Sequence, residues 1–278
     1  MEIKKITITE MLQRKKEGKK ITMLTAYDYP MASFIEKSGI DIILVGDSAA
    51  MVVHGHQNTL PITMDEMLVH CRAVRRGAQG TFIVGDMPFL SYQTSIQDAI
   101  LNAGRFLKEG FCDAVKIEGG MPVVPVLKAI TDTGIPVMAH IGLTPQSATQ
   151  LGGFKVQGKD SKDAQALVDS AIALQNAGAF CVLMECVPDR VAEFVTKKII
   201  LPTIGIGAGS GCDGQVLVTH DMLGLFERFV PKFAKKYVVL SEQIRKGIEV
   251  FKQEVEQGKF PSPEHSFTVA DEVVKNLK

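Results

Sequence analysis

Apolar runs that each end on a polar group set the frame for this chain. Ile42-Ile43-Leu44-Val45 is continuous and mostly branched, and it runs into Gly46-Asp47-Ser48. Such a run reads as a parallel strand buried on both faces, with a carboxylate at its end. The pattern then returns. Phe82-Ile83-Val84-Gly85 ends on Asp86, Ala114-Val115-Lys116-Ile117 on Glu118, Val137-Met138-Ala139 on His140, and Cys181-Val182-Leu183-Met184 on Glu185. Residues 21–28, 203–207 and 215–218 supply three more apolar strands.

Helical signals separate these runs. Thr7-Ile8-Thr9-Glu10 forms a capping box, and the helix it opens should end near Gly18 and plug the bottom of a barrel, with its lysines in solvent. Pro30 opens a helix to Lys37, Thr63 caps one over 64–76, and Ser95 caps one through Leu107. Further helices are expected over about 122–133 and 164–177, after Pro188, and from about Phe233 to Gln257. Eight strands alternating with helices predict an α/β fold, a (β/α)8 TIM barrel. It should be one domain over 1–278, with an N-terminal helix and a C-terminal helical extension. A doubly wound sheet of the dinucleotide-binding kind would place glycines after the first strand, and none stands there.

Bulk composition narrows the function. With 46% hydrophobic residues, the 278-residue chain can bury a sizeable core. Formal net charge is zero, which argues against nucleic acid or an anionic membrane as partner. No apolar run reaches membrane-spanning length, and the lysines near the N-terminus are mixed with Glu2, Glu10 and Glu17 rather than followed by an apolar block. Cys71, Cys112, Cys181, Cys186 and Cys212 form no CxxC pair, so a reduced, cytoplasmic protein with cysteines as core filler is expected.

Side chains alternate along a strand. Val45 and Asp47 are therefore expected on one face, as are Val84 and Asp86, Lys116 and Glu118, and Leu183 and Glu185. If that face is the barrel interior, these groups converge at the C-terminal mouth, where barrel active sites are built. So much buried negative charge requires a cation. Oxygen donors without a cysteine or histidine cluster point to Mg2+, with Asp47 and Asp86 as direct ligands and Glu118 bound directly or through water. Such an ion can hold a 2-keto acid, polarise its carbonyl and stabilise an enolate. Lys116, Ser48 and His140 would hold or neutralise substrate oxygens, beside Asp47 and Asp86. Glu185 is free to take a carbon-bound proton. Residues 49–61 make a connection long enough for a lid, and His54 and His56 in it are expected to gate or pack rather than bind metal. Gly205-x-Gly207-x-Gly209-x-Gly211 stands where many barrels hold phosphate, although glycines there also permit tight turns.

Longer strings carry a resemblance. Gly46-Asp47-Ser48, Gly55-His56, Thr59-Leu60-Pro61, Gly85-Asp86-Met87-Pro88-Phe89, Lys116-Ile117-Glu118-Gly119-Gly120 and His140-Ile141-Gly142-Leu143-Thr144-Pro145-Gln146 stand in order along the chain. Gly152-Gly153-Phe154-Lys155-Val156-Gln157-Gly158, Glu185-Cys186-Val187-Pro188, the stretch 204–209 and Asp213-Gly214-Gln215-Val216-Leu217-Val218 follow. Together they resemble the ketopantoate hydroxymethyltransferase family over nearly the whole length. Ala49-Ala50 departs from the family's frequent Leu-Gly, beside the expected metal. The resemblance implies Mg2+-dependent transfer of a hydroxymethyl group from 5,10-methylenetetrahydrofolate to 3-methyl-2-oxobutanoate. The product would be 2-dehydropantoate, on the way to pantothenate and coenzyme A. It implies Asp47 and Asp86 at the metal, Glu118 completing its surroundings, Ser48, Asp86 and Lys116 against the keto acid, and Glu185 as base. It also implies a homodecamer of two pentameric rings. The residues alone leave other readings open: a Schiff-base aldolase using Lys116, a C–C or C–P lyase on the same kind of barrel, or a ligand-binding barrel without turnover.

Overall fold

The structure is a computed structural model that describes residues 5–150, 153 and 155–278. Glu2, and Gly152 and Phe154 of the long glycine-containing string, lie outside the described residues. In chain order the first elements are α1 (Ile8–Glu17), β1 (Ile21–Thr25), α2 (Tyr29–Lys37), β2 (Ile42–Val45), α3 (Ala49–Val52), α4 (Met64–Gly77), β3 (Phe82–Asp86) and α5 (Ile96–Lys108). Next come β4 (Ala114–Glu118), α6 (Val124–Asp132), β5 (Val137–Gly142), α7 (Ser161–Asn176), β6 (Cys181–Glu185) and α8 (Asp189–Lys198). The chain continues with β7 (Thr203–Ile206), β8 (Gly214–Leu217), α9 (Thr219–Met222), α10 (Leu240–Glu256) and α11 (Asp271–Lys275).

The strands close into one parallel barrel in sequence order, with β8 returning to β1. Register brings the strand ends level: Asp86 pairs with Lys116, Glu118 with His140, and Gly142 with Glu185. Alternation sorts the strand residues into two layers. Ile21, Met23, Ile42, Leu44, Phe82, Val84, Ala114, Met138, Leu183, Ile204 and Val216 fill the interior. Ile43, Val45, Ile83, Val115, Ile117, Ala139, Val182 and Met184 face the helices. Each fully buried branched side chain contributes about 1.5–3 kcal/mol against solvent, so both layers are needed to hold the ring closed.

The bottom is plugged as expected. Thr7 and Glu10 make the reciprocal capping box, and fully buried Met11 joins the interior cluster. Lys15, expected in solvent, instead reaches the Thr196 and Leu201 carbonyls and Asp213 Oδ2 at 2.7, 2.8 and 2.9 Å. It closes the barrel floor by satisfying carbonyls that no strand partner reaches.

Boundaries differ where side chains divert the backbone. β1 stops at Thr25, because Asp28 serves as the N-cap of α2 and accepts from the Met31 N–H. α7 begins at Ser161 because Asp160 caps it. The expected long C-terminal helix begins only at Leu240. The Tyr237 and Leu240 N–H groups donate to the carbonyls of Met222 and Leu223, which draws residues 237–240 along the end of α9.

Candidate active site at the barrel mouth

Asp86, Lys116, Glu118 and His140 follow directly from alternation. Val84 and Asp86 point inward on β3, Ala114, Lys116 and Glu118 on β4, and Met138 and His140 on β5. Leu183 and Glu185 do the same on β6. Asp47 arrives by a different route. Val45 belongs to the outer layer, so an extended strand would have carried Asp47 outward with it. The strand ends at Val45, and the chain folds back at Gly46, where a Cβ would lie 2.7 Å from Ser48 Oγ. The Asp47 N–H then donates to Asp86 Oδ2 at 3.1 Å, and its carboxylate turns over the mouth. The shared face expected for Val45 and Asp47 is thus corrected: the turn, not alternation, delivers this group.

The assembled cluster is dry. Asp47, Asp86, Lys116, Glu118 and His140 are each 1–5% exposed. Lys116 Nζ lies 2.7 Å from Asp86 Oδ1 and 3.1 Å from Glu118 Oε1. His140 stands between two carboxylates, with Nδ1 3.3 Å from Glu118 Oε1 and Nε2 3.3 Å from Glu185 Oε2. Glu185 is more open than the rest. Ser48 Oγ lies 2.8 Å from the Tyr27 hydroxyl, which fixes it at the rim.

Nothing in residue type or spacing marks Gln146 and Tyr92, yet they hold the acids in place. Gln146 Nε2 donates to Asp47 Oδ2 at 3.1 Å and to the Met87 carbonyl at 3.0 Å. The Gln146 backbone N–H donates to Glu118 Oε2 at 3.0 Å. Tyr92 donates its hydroxyl proton to Gln146 Oε1 and accepts from the Glu118 N–H. The only hint in the sequence is that Gln146 closes the string that begins at His140.

Electrostatics follow from this packing. Burial would raise Glu118, but Lys116 and His140 outweigh it and hold the carboxyl at about 2. Burial would deprotonate Lys116, but Asp86, Glu118 and Asp47 outweigh it and keep the ammonium protonated well above its ordinary 10.5. A Schiff-base role needs the free amine, so this environment disfavours it. Burial and Lys116 push His140 down, and Glu118 and Glu185 overcome both to raise it to about 9. Asp47 moves the other way: burial, then Asp86 and Glu118, raise it well above its ordinary 3.8.

Asp47, Asp86 and Glu118 each offer an oxygen, and these oxygens lie within 4.8 Å of one another. Three carboxylates beside protonated Lys116 and His140 leave one net negative charge when all are ionised. An all-oxygen donor set with that charge fits a hard divalent cation. Among the described residues no other such group of acids, histidines or cysteines occurs. In the connection over residues 49–61, His54 and His56 are exposed, and His54 Nε2 lies 2.8 Å from His70 Nε2. The five cysteines are free, and all but half-buried Cys186 are buried.

A cavity of about 400 Å³ rises from the acid cluster. Its acid end carries Asp47, Ser48, Asp86, Lys116, Glu118, His140 and Glu185, and the rest of its wall is mostly apolar, with Asp221 and Lys232 among the phenylalanines. The glycine run after β7 forms no anion cradle. A Cβ on Gly207, at φ +63°, would lie 2.7 Å from the Phe233 ring, and Cβ atoms on Gly209 and Gly211 would strike Asp189 and Glu193. These glycines seat an aromatic ring and α8, and the nearest side chains include carboxylates that repel phosphate.

A family profile described as ketopantoate hydroxymethyltransferase matches residues 5–263. A protein of Enterococcus faecalis named 3-methyl-2-oxobutanoate hydroxymethyltransferase is 54% identical over 273 residues, which cover 98% of this chain and 99% of the relative. A Desulfotalea psychrophila protein of the same name is 56% identical over 262 residues, 94% of each chain. The barrel is also similar to a phosphonopyruvate hydrolase solved with oxalate and Mg++, at TM-score 0.62 and 13% identity over 97% of this chain and 94% of that one. A phosphoenolpyruvate phosphomutase from Streptomyces platensis subsp. rosaceus aligns with TM-score 0.62 and 16% identity, over 97% and 94% of the two chains. At such identities the likeness concerns the fold alone. No helix among the described residues is long and apolar enough to cross a membrane. The profile match and the full-length identities above one half together show that this chain belongs to the ketopantoate hydroxymethyltransferase family.

Proposed function

We propose that the protein transfers a hydroxymethyl group from 5,10-methylenetetrahydrofolate to 3-methyl-2-oxobutanoate through the enolate of the keto acid, giving 2-dehydropantoate for pantothenate and coenzyme A synthesis. The observation that carries this reading is the meeting of Asp47, Asp86 and Glu118 around one point, with Lys116 on one side and Glu185 reached through His140. Asp47 and Asp86 would hold Mg2+, with Glu118 close enough to bind directly or through water. When bound, the ion supplies Lewis-acid polarisation of the keto-acid carbonyl.

The chain's own groups do the rest. Lys116 and Ser48 hold substrate oxygens, with Asp47, Asp86 and His140 against the same molecule. Gln146 keeps Asp47 and Glu118 from relaxing apart. Glu185 takes the C3 proton, and the electron pair of the broken C3–H bond enters the C2 carbonyl. Water adds to the methylene carbon and its two C–N bonds break, releasing tetrahydrofolate; C3 of the enolate bonds to the resulting formaldehyde-level carbon, whose oxygen takes a proton and becomes the hydroxyl. The apolar walls exclude bulk water from that carbanionic centre.

The reading includes a reduced cytoplasmic setting and self-association. α10 buries no residue on this chain and exposes Ile244, Ile248, Phe251 and Val255 at helical spacing, which supports contact with further copies, ten in the assembly implied by the resemblance.

Deuterium wash-in at C3 of 3-methyl-2-oxobutanoate tests the chemistry. Exchange should stop with EDTA, return with Mg2+, and be lost in Glu185→Gln while keto-acid binding persists. Full exchange in that variant removes Glu185 from the base role. Product formation that ignores folate would favour a lyase of the kind that shares this barrel.

A further inference from the structure

The acid cluster is not the only charged feature of the cavity. Asp221, on α9 just after β8, lines the same space and is only 6% exposed. Among the described residues its carboxylate makes no hydrogen bond or ion pair, and only burial and the charge of Lys236 act on it. Burial pushes it up to about 6, with Lys236 pulling the other way from beyond ion-pair distance. Buried carboxylates almost always accept hydrogen bonds, and one that does not calls for a missing donor. Around it the wall is mostly aromatic and apolar, with Val218, Phe226, Phe229, Pro231 and Phe233, and Lys232 adds a cation to it. Phe233 is fixed against Gly207, so this wall is built into the barrel top.

A small keto acid on the acid end leaves this part of the cavity empty. Its chemistry, mostly apolar walls with one buried carboxylate and the Lys232 side chain, suits a planar heterocycle that offers two parallel N–H donors and a polar group beside them. A carboxylate accepts such a pair bidentately, and phenyl rings stack on the ring face. Resting on the folate-dependent reading above, we infer that Asp221 anchors the pterin of the co-substrate by accepting from its N3–H and 2-amino group. Phe226 and Phe229 line the path from that anchor to the rim.

Calorimetric binding of tetrahydrofolate and its 2-desamino analogue to the wild type and to Asp221→Asn tests this. The variant should bind tetrahydrofolate roughly 10- to 100-fold more weakly, as for loss of a charge-assisted hydrogen bond pair. The wild type should show a similar loss with the analogue, and the variant little further loss. In turnover the folate KM should rise while the keto-acid KM does not. Equal binding of tetrahydrofolate by wild type and variant overturns the anchor while leaving the reaction intact. If Asp221→Asn does not fold, the analogue on the wild type decides: undiminished binding overturns the anchor. A wild type that exchanges the C3 proton but binds no tetrahydrofolate overturns both the anchor and the folate reading.

Discussion

The two halves of the barrel mouth are built on opposite principles. From β2 to β6 every strand end contributes a charged or ionisable group, and these groups touch one another: Lys116 meets Asp86 and Glu118, and His140 bridges Glu118 and Glu185. From β7 onward the strand ends offer Ile206, Val216 and Val218, and the wall is completed by residues 226–233, which belong to no helix or strand. One half concentrates charge at low dielectric, where each group resets its neighbours. The other presents apolar surface, with Asp221 as its buried acid. In the proposed reaction the first half serves the chemistry and the second holds the folate. The same barrel supplies both because its strands end level.

Perturbing each half separately should give different signatures. The largest effect is expected for Glu185→Gln, with C3 exchange reduced roughly 10²- to 10⁴-fold, as for loss of a general base. Keto-acid affinity, read by calorimetry, should change little. Lys116→Met comes next. It leaves Asp86 and Glu118 buried without their ammonium, and chemical denaturation of the metal-free protein should show a loss of about 3–5 kcal/mol.

The third prediction concerns pH. Burial, then like charge from Asp86 and Glu118, holds Asp47 above 3.8 in the folded state, and Asp86 is raised chiefly by burial. The unfolded chain therefore releases these protons first, and metal-free stability contributed by them is lost as pH rises above about 4. A divalent cation binds the ionised carboxylates, so its stabilisation should be greatest at high pH and fade as pH falls. At a hundredfold excess over Kd it amounts to about 2.7 kcal/mol. Thermal shifts with and without Mg2+ across pH 5–9 (about one pH unit apart) would reveal a slope of the wrong sign.

The apolar half should respond more gently. Phe229→Ala removes an exposed stacking ring, and the folate KM should rise by roughly 2- to 10-fold with C3 exchange intact. The smallest effect on the barrel is expected for Ile248→Asp on α10, within about 0.5 kcal/mol by denaturation, because the side chain is 63% exposed. Sedimentation should nonetheless show weakened self-association.

The acid half was legible in the sequence because period-two alternation fixes where a strand residue points. Asp86, Lys116, Glu118, His140 and Glu185 all follow that rule. Alternation alone points Asp47 outward with Val45; a turn at Gly46 brings it to the mouth. Gln146 lies in a connection, where no periodicity reveals direction. Asp221 and the Phe233 segment were hidden for the same reason. The apolar pattern near Phe233 predicts helix, but long-range contacts with Gly207 and with the α9 carbonyls determine its path. Local pattern reports what the backbone repeats, and the irregular half of the mouth repeats nothing.

The central claim is that acids from three separate strand ends hold one divalent cation. Mn2+ titration followed by electron paramagnetic resonance, on the wild type, Asp47→Asn and Asp86→Asn, tests it most directly. The account predicts a single strong site per chain in the wild type, displaced by Mg2+ and lost in both variants. Wild-type affinity retained in both variants would contradict it.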